Sequence, residues 1–182
     1  MGRIHRLRRR SGFGGVAAIT STNAWAVGSF GLQTFVEHWN GASWSVVASP
    51  NGPGGDGYLA AVSAVSASNI WAVGATSTSA LIERWNGTKW SVQSSPAITG
   101  TSFLSSVREI SAIDVWAVGN QSSGALAMRY NGTVWTLVPE LAGNLTLNEA
   151  TASTAEHAVW AVGSQEKSSK PFKTFAEHVC PA

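Results

Sequence analysis

The sequence predicts an all-β fold, a repeating array of four-stranded antiparallel blades of which three are complete and a fourth lacks its outer strand. Three observations predict it. The tetrapeptide Trp-Ala-Val-Gly occurs four times, starting at Trp25, Trp71, Trp116 and Trp160, with successive offsets of 46, 45 and 44 residues. Fourteen residues after each of the first three tryptophans stands an aromatic-Asn-Gly, led by Trp39, Trp85 and Tyr130. Five residues after that aromatic comes another tryptophan, Trp44, Trp90 or Trp135, so that all nine tryptophans fall on repeat positions. A fixed period in this range marks a repeat architecture, in which each unit buries its apolar face only against the next.

The second unit shows the elements most cleanly. Leu59 to Val65 is a short β-like run, and the polar stretch 66–69 turns the chain. Ile70 to Gly74 is a second β-rich run, and 75–80 is a loop of small residues. Leu81 to Trp85 forms a third strand, Asn86-Gly87 a turn, and Thr88 to Val92 a fourth strand stopped by Ser95-Pro96. Asn-Gly favours a two-residue type I′ loop, because both central positions need positive φ. That register sets Trp85 opposite Thr88 and Glu83 opposite Trp90. Alternation then gathers Leu81, Trp85, Trp90 and Val92 on one face. The same arithmetic groups Trp39, Trp44 and Val46 in the first unit, and Tyr130, Trp135 and Leu137 in the third. Stacked sheets can bury such faces, so the tryptophans are expected to be core.

The units run over about 13–50, 59–96, 104–139 and 147–179, forming a propeller-like domain over 13–182 behind a basic arm at 1–12. The connector 51–57 is rich in Gly and Pro. The fourth unit carries a Lys-rich loop at 164–173, reaches Phe175-Ala-Glu177-His178, and has no aromatic-Asn-Gly after it. One expectation is that residues 3–8 lie back as the missing outer strand of the last blade. Another is that the chain is a truncated part of a larger propeller without independent function.

Repeats of 40–50 residues with four strands read as β-propeller blades. The hydrophobic strand ending in Gly, followed by an aromatic and then Trp, resembles the kelch family. It is similar in particular to the WAVG…WNG…W propeller repeats of secreted bacterial proteins, over Phe13 to about His178. The glycine is single here, where kelch repeats carry a pair, and the gap from the aromatic to Trp is shorter. The resemblance implies a binding scaffold, extracellular or at the cell surface. It includes copper enzymes of the galactose-oxidase type, whose Tyr/His/Cys set has no counterpart in Tyr58, Tyr130 and Cys180.

Composition narrows the function classes. Only 12% of residues are charged, and 44% are hydrophobic. Five of 12 basic residues (Arg3, Arg6, Arg8, Arg9, Arg10) lie in the first ten positions, leaving 7 basic against 10 acidic side chains in the rest, a net of −3. A mildly acidic body argues against nucleic-acid binding by the repeats. No run approaches the roughly 18 apolar residues of a membrane-spanning helix. The Arg-rich start gives no clear signal peptide. The single cysteine, Cys180, excludes an intramolecular disulfide and a cysteine-based metal site.

No catalytic constellation is present: His5, His38, His157 and His178 form no HExxH, and no GxSxG or phosphate loop occurs. No metal site and no cofactor are expected. His38, Arg84, Arg129 and His178 share one position in the third strand of each unit, and Glu37, Glu83 and Glu177 precede three of them. They read as Glu–Arg/His contacts between blades or as solvated rim charges. The innermost strand lines a propeller's axis. There, Ala17, Ala18, Ser63 and Ala64 are small and neutral, whereas the third unit has Arg108-Glu109 and the fourth Glu149. Arg108, Glu109 and Glu149 are therefore the candidate binding residues. The expected function is a non-catalytic binding or scaffold module taking a glycan or protein ligand on the loop face. The alternative is a glycan-active lyase or hydrolase with its site at the channel mouth.

Overall fold

The structure, a computed structural model, describes residues 11–138, 145–153, 158–167 and 170–179. Every element among them is a β-strand. The first blade comprises β1 (Ser11–Thr20), β2 (Asn23–Phe30), β3 (Gln33–Trp39) and β4 (Trp44–Val47). The second comprises β5 (Tyr58–Ser66), β6 (Asn69–Ala75), β7 (Ala80–Trp85) and β8 (Trp90–Val92). The third comprises β9 (Ser102–Ser111), β10 (Asp114–Gln121), β11 (Gly124–Tyr130) and β12 (Trp135–Leu137). The fourth contains β13 (Leu145–Ser153), β14 (Ala158–Lys167) and β15 (Lys170–Val179), three strands among the described residues. Each sheet is an antiparallel meander in chain order. This is the predicted all-β propeller-like array. The segment 3–8, expected as an added strand, lies outside the described residues, as does Cys180.

The sheets stack through the repeated aromatics. Trp25 lies against Trp85 of the next blade, 4.8 Å between ring centroids, and edge-on to Trp90 at 5.6 Å. Trp71 repeats this one blade on, against Tyr130 at 4.8 Å and Trp135 at 5.3 Å. Tilted and edge-to-face pairs match the negative face of one ring to the positive edge of another. The three Trp-Ala-Val-Gly indoles at Trp25, Trp71 and Trp116 are 3, 0 and 2% exposed, and Trp90 and Trp135 are buried with them. The array leaves two of its tryptophans at the surface. Trp44, the first blade's counterpart of Trp90, is 42% exposed, and Trp160 is 45% exposed. Burial of the ring thus depends on having a blade on its side, as a stacked array requires.

The hairpin turns differ from the predicted two-residue loop. Trp85 pairs with Trp90 and Glu83 with Val92, so the loop holds four residues, Asn86 to Lys89. The Asn86 side-chain oxygen accepts the backbone N–H groups of Thr88 (2.9 Å) and Lys89 (3.0 Å). This local Asx turn competes with the type I′ turn and wins. Gly87 takes positive φ, at 96°. Asn40 and Asn131 bind their loops in the same way. Leu81, Trp85, Trp90 and Val92 still share a face, because the shift preserves parity.

The third-strand side chains of His38, Arg84 and Arg129 are tied within their own blades, to partners other than glutamate. His38 Nε2 lies 3.0 Å from Asn23 Oδ1, Arg84 Nε donates to Asn69 Oδ1 at 2.9 Å, and Arg129 Nε donates to Asp114 Oδ1 at 2.8 Å. Each also covers its blade's buried indole: His38 stacks on Trp25, Arg84 sits 5.0 Å above Trp71 and Arg129 5.4 Å above Trp116. A cation over an indole face is attracted by the ring quadrupole. At these three positions a hydrogen bond and a ring contact within the blade stand in place of the expected Glu–Arg/His contacts between blades.

Candidate functional site

The innermost strands pack side by side, β1 on β5, β5 on β9 and β9 on β13. Each carries a β-bulge where its partner strand reaches the glycine end of Trp-Ala-Val-Gly. The unpaired residues are Gly14, Ala60, Ser105 and Asn148. The glycine is what makes room. A Cβ on Gly28, Gly74 or Gly119 would overlap the carbonyl oxygen of Gly12, Tyr58 or Phe103 on the inner strand. A bulge bends its strand and re-aims side chains. Here the four bulges ring one cavity of about 320 Å³, lined by all four inner strands.

The wall of the cavity is asymmetric. The first two blades contribute only small and apolar residues, Gly14, Gly15, Val16, Ala60, Ala61 and Val62, and the last two contribute Val107 and the polar Ser105, Ser106, Arg108, Asn148 and Glu149. The glycines follow from close packing, since a Cβ on Gly14 would meet the Leu59 carbonyl oxygen at 2.6 Å. The serines are occupied in stitching the third blade to the fourth. Ser105 Oγ donates to the Leu147 carbonyl at 2.9 Å, and Ser106 Oγ accepts the Ala150 N–H at 3.2 Å. That leaves Arg108, Asn148 and Glu149 as the other polar residues of the lining. Among the described residues Arg108 forms no ion pair, with Glu149 or with any other carboxylate, and its Nε has no hydrogen-bond partner.

Of the three residues picked from the sequence, Arg108 and Glu149 come together on the cavity wall, while Glu109 does not line it. Adjacent strand residues point to opposite sides, and Glu109 is buried between the second and third blades. There its Oε1 accepts a 2.7 Å hydrogen bond from Asn69 Nδ2, and its backbone N–H donates to Ser63 Oγ. Arg84, Asn69 and Glu109 form a chain of contacts across the blade interface. Burial pushes the Glu109 carboxyl up to about 8, opposed by a backbone hydrogen bond at Val65 and by the charge of Arg84. Burial likewise raises Glu83 to about 7, opposed by a 2.6 Å hydrogen bond from Ser49.

Sequence reasoning missed the bulges. Their signal was the repeated glycine, which stands 14 residues after Gly14, Ala60 and Ser105 and 15 after Asn148. It also missed Asn23, Asn69 and Asp114, two residues ahead of the first three Trp-Ala-Val-Gly tryptophans. Among the described residues no three His, Cys, Asp or Glu side chains are grouped to hold a metal, and no helix is long and apolar enough to cross a membrane.

The raised carboxyls predict a pH dependence of stability. A carboxyl whose pKa is higher in the fold holds its proton more tightly there than in the unfolded chain. Its effect is neutral below the ordinary value of 4.5. Above that value it costs about 1.4 kcal/mol per pH unit until the folded group also ionises. That point is reached near pH 7 for Glu83 and near pH 8 for Glu109. The melting temperature should therefore fall between pH 5 and pH 8 on account of these two groups. Glu109→Gln should flatten the fall most, followed by Glu83→Gln. An equally steep profile in both variants would contradict the assignment.

These features define a β-propeller fold with an axial cavity. No family model matches the chain, and no curated protein matches it. Solved propeller structures do. One, described as "YCF48 bound to D1 peptide", superposes with a TM-score of 0.61 at 15% identity over 92% of this chain and 55% of that one. A second, YCF48 from Cyanidioschyzon merolae, gives a TM-score of 0.56 at 17% identity over 83% of this chain and 48% of that one. The chain thus spans about half the length of these structures, and the likeness is one of fold.

Proposed function

We propose that the chain is a non-catalytic propeller module that binds an extended protein segment at the mouth of the axial cavity. The observation that carries this is the pair Arg108 and Glu149. Two side chains of opposite charge stand on one wall of a cavity, not joined to each other, facing a wall of glycine, alanine and valine. A peptide offers carbonyl oxygens and a carboxylate to the guanidinium, N–H groups to the carboxylate, and a narrow backbone to the small-residue wall. That a structure of the same fold is described as bound to a peptide supports the reading. The kelch-like character of the repeats, and a place outside the cell, belong to the same proposal and rest on the sequence pattern and the weakly charged composition.

The test is selection of binders from a displayed random-peptide library, with a glycan array run beside it. The proposal expects peptides that compete with one another and lose at least tenfold in affinity with Arg108→Ala and with Glu149→Ala. Peptides indifferent to both variants would refute the site. Glycan turnover abolished by Glu149→Ala would refute the non-catalytic reading and favour a lyase or hydrolase.

A further inference from the structure

The two ends of the array carry the two halves of the contact that joins its blades. Inside the chain that contact is made twice with the same parts. An indole on the second strand of one blade, Trp25 or Trp71, seats against an aromatic pair on the outer hairpin of the next, Trp85 with Trp90 or Tyr130 with Trp135. The pair itself is a constant object. Its ring centroids are 6.0 Å apart in the second blade, 5.7 Å in the third and 5.8 Å for Trp39 with Trp44 in the first. Among the described residues no blade lies on that side of the first, and Trp44 and Val46 are exposed. At the other end Trp160, the fourth indole of the series, and Val162 beside it on the same strand face are exposed.

We propose that the first-blade face bearing Trp39, Trp44 and Val46 is a docking surface for a second copy of this chain, which presents its fourth-blade face bearing Trp160 and Val162. The occupant is named by the internal joints: what fits an aromatic pair of this spacing is a Trp-Ala-Val-Gly strand, and this chain carries one at its far end. Two unlike faces meeting head to tail make a heterologous contact, which closes into a ring when the rotation permits. Two copies bring eight blades, within the range of about four to eight found in propellers. The length agrees, since this chain spans 55% of one solved propeller of the same fold and about as much chain again spans the rest. A closed dimer would also complete the wall of the axial cavity, which β1 and β13 do not close by packing on each other as the consecutive inner strands do.

Sedimentation equilibrium on the full chain, a 19.0 kDa protomer, tests this. The expected species has twice that mass, about 38 kDa. Val46→Lys places a lysine opposite Glu37 in register and Val162→Lys one opposite Glu149, so each charge has an acid beside it in its own fold. Each variant should be monomeric by itself, with an unchanged circular dichroism spectrum. Mixed in equal amounts they should regain dimer, because one of the two joints in the mixed ring then has two native faces. A wild-type chain that stays monomeric at all concentrations overturns the proposal. So does a dimer that survives both substitutions, a mixture that stays monomeric, or a species that grows without limit with concentration.

Discussion

Trp71→Ala is expected to destabilise the chain by about 3–5 kcal/mol, the range for emptying a large aromatic site in a packed core. Trp71 is fully buried, edge-on to Trp135, tilted on Tyr130 and capped by the Arg84 guanidinium. Alanine would remove the ring from the centre of the joint between the second and third blades and leave Arg84 over a void. Arg84 is also the donor to Asn69, which in turn holds Glu109, so loss of the ring loosens the polar chain beside it. Trp44→Ala, in chain kept monomeric by dilution, should cost about 1 kcal/mol or less, since among the described residues the exposed ring has only Trp39 as an aromatic partner. Urea titrations of the two variants supply the comparison. Equal losses would mean that the blades do not stack through these indoles.

Gly74→Ala is the second large effect, at roughly 2–4 kcal/mol, or about 4–16 °C in melting temperature for a chain of this size. No positive φ is involved. The added Cβ would overlap the Tyr58 carbonyl oxygen and crowd the Leu59 Cα, both backbone atoms of β5. Backbone cannot step aside as the end of a side chain can, and Ala60, the bulge residue, lies one position further on. The substitution would push the inner strand toward the axis and narrow the cavity. Gly31→Ala is the contrasting case. Gly31 has open space around it and φ of 66°, so it should cost only about 1 kcal/mol through the backbone conformation. Thermal melts of both chains separate a steric from a conformational requirement for glycine.

The repeat made the blades legible, because spacing is a property of sequence and each strand is bounded by turn residues that recur with it. What a turn does in detail was less legible. Asn-Gly permits a type I′ loop, but the Asn86 carboxamide can also gather the N–H groups of Thr88 and Lys89, and nothing in the pair Asn86-Gly87 decides between them. Burial was legible only as an average. Trp44 and Trp90 are equivalent by spacing and differ in exposure because one has a blade before it and the other does not. At the site, charge on the inner strand pointed to Arg108 and Glu149, which both line the cavity. It pointed equally to Glu109, which alternation sends into the blade interface, where burial raises its pKa. The bulges stayed hidden because they are a backbone event, visible in sequence only through the glycine that tolerates them.

Hydrogen exchange at the indole N–H groups, resolved by NMR, tests the stacked-blade account most directly. The indole nitrogens of Trp25, Trp71, Trp90 and Trp135 are buried without hydrogen-bond acceptors, so only packing shields them from water. All four should exchange orders of magnitude more slowly than free indole and lose protection together as denaturant is added. Exchange of these four at the rate of a solvent-exposed indole, with the chain still folded, would contradict it.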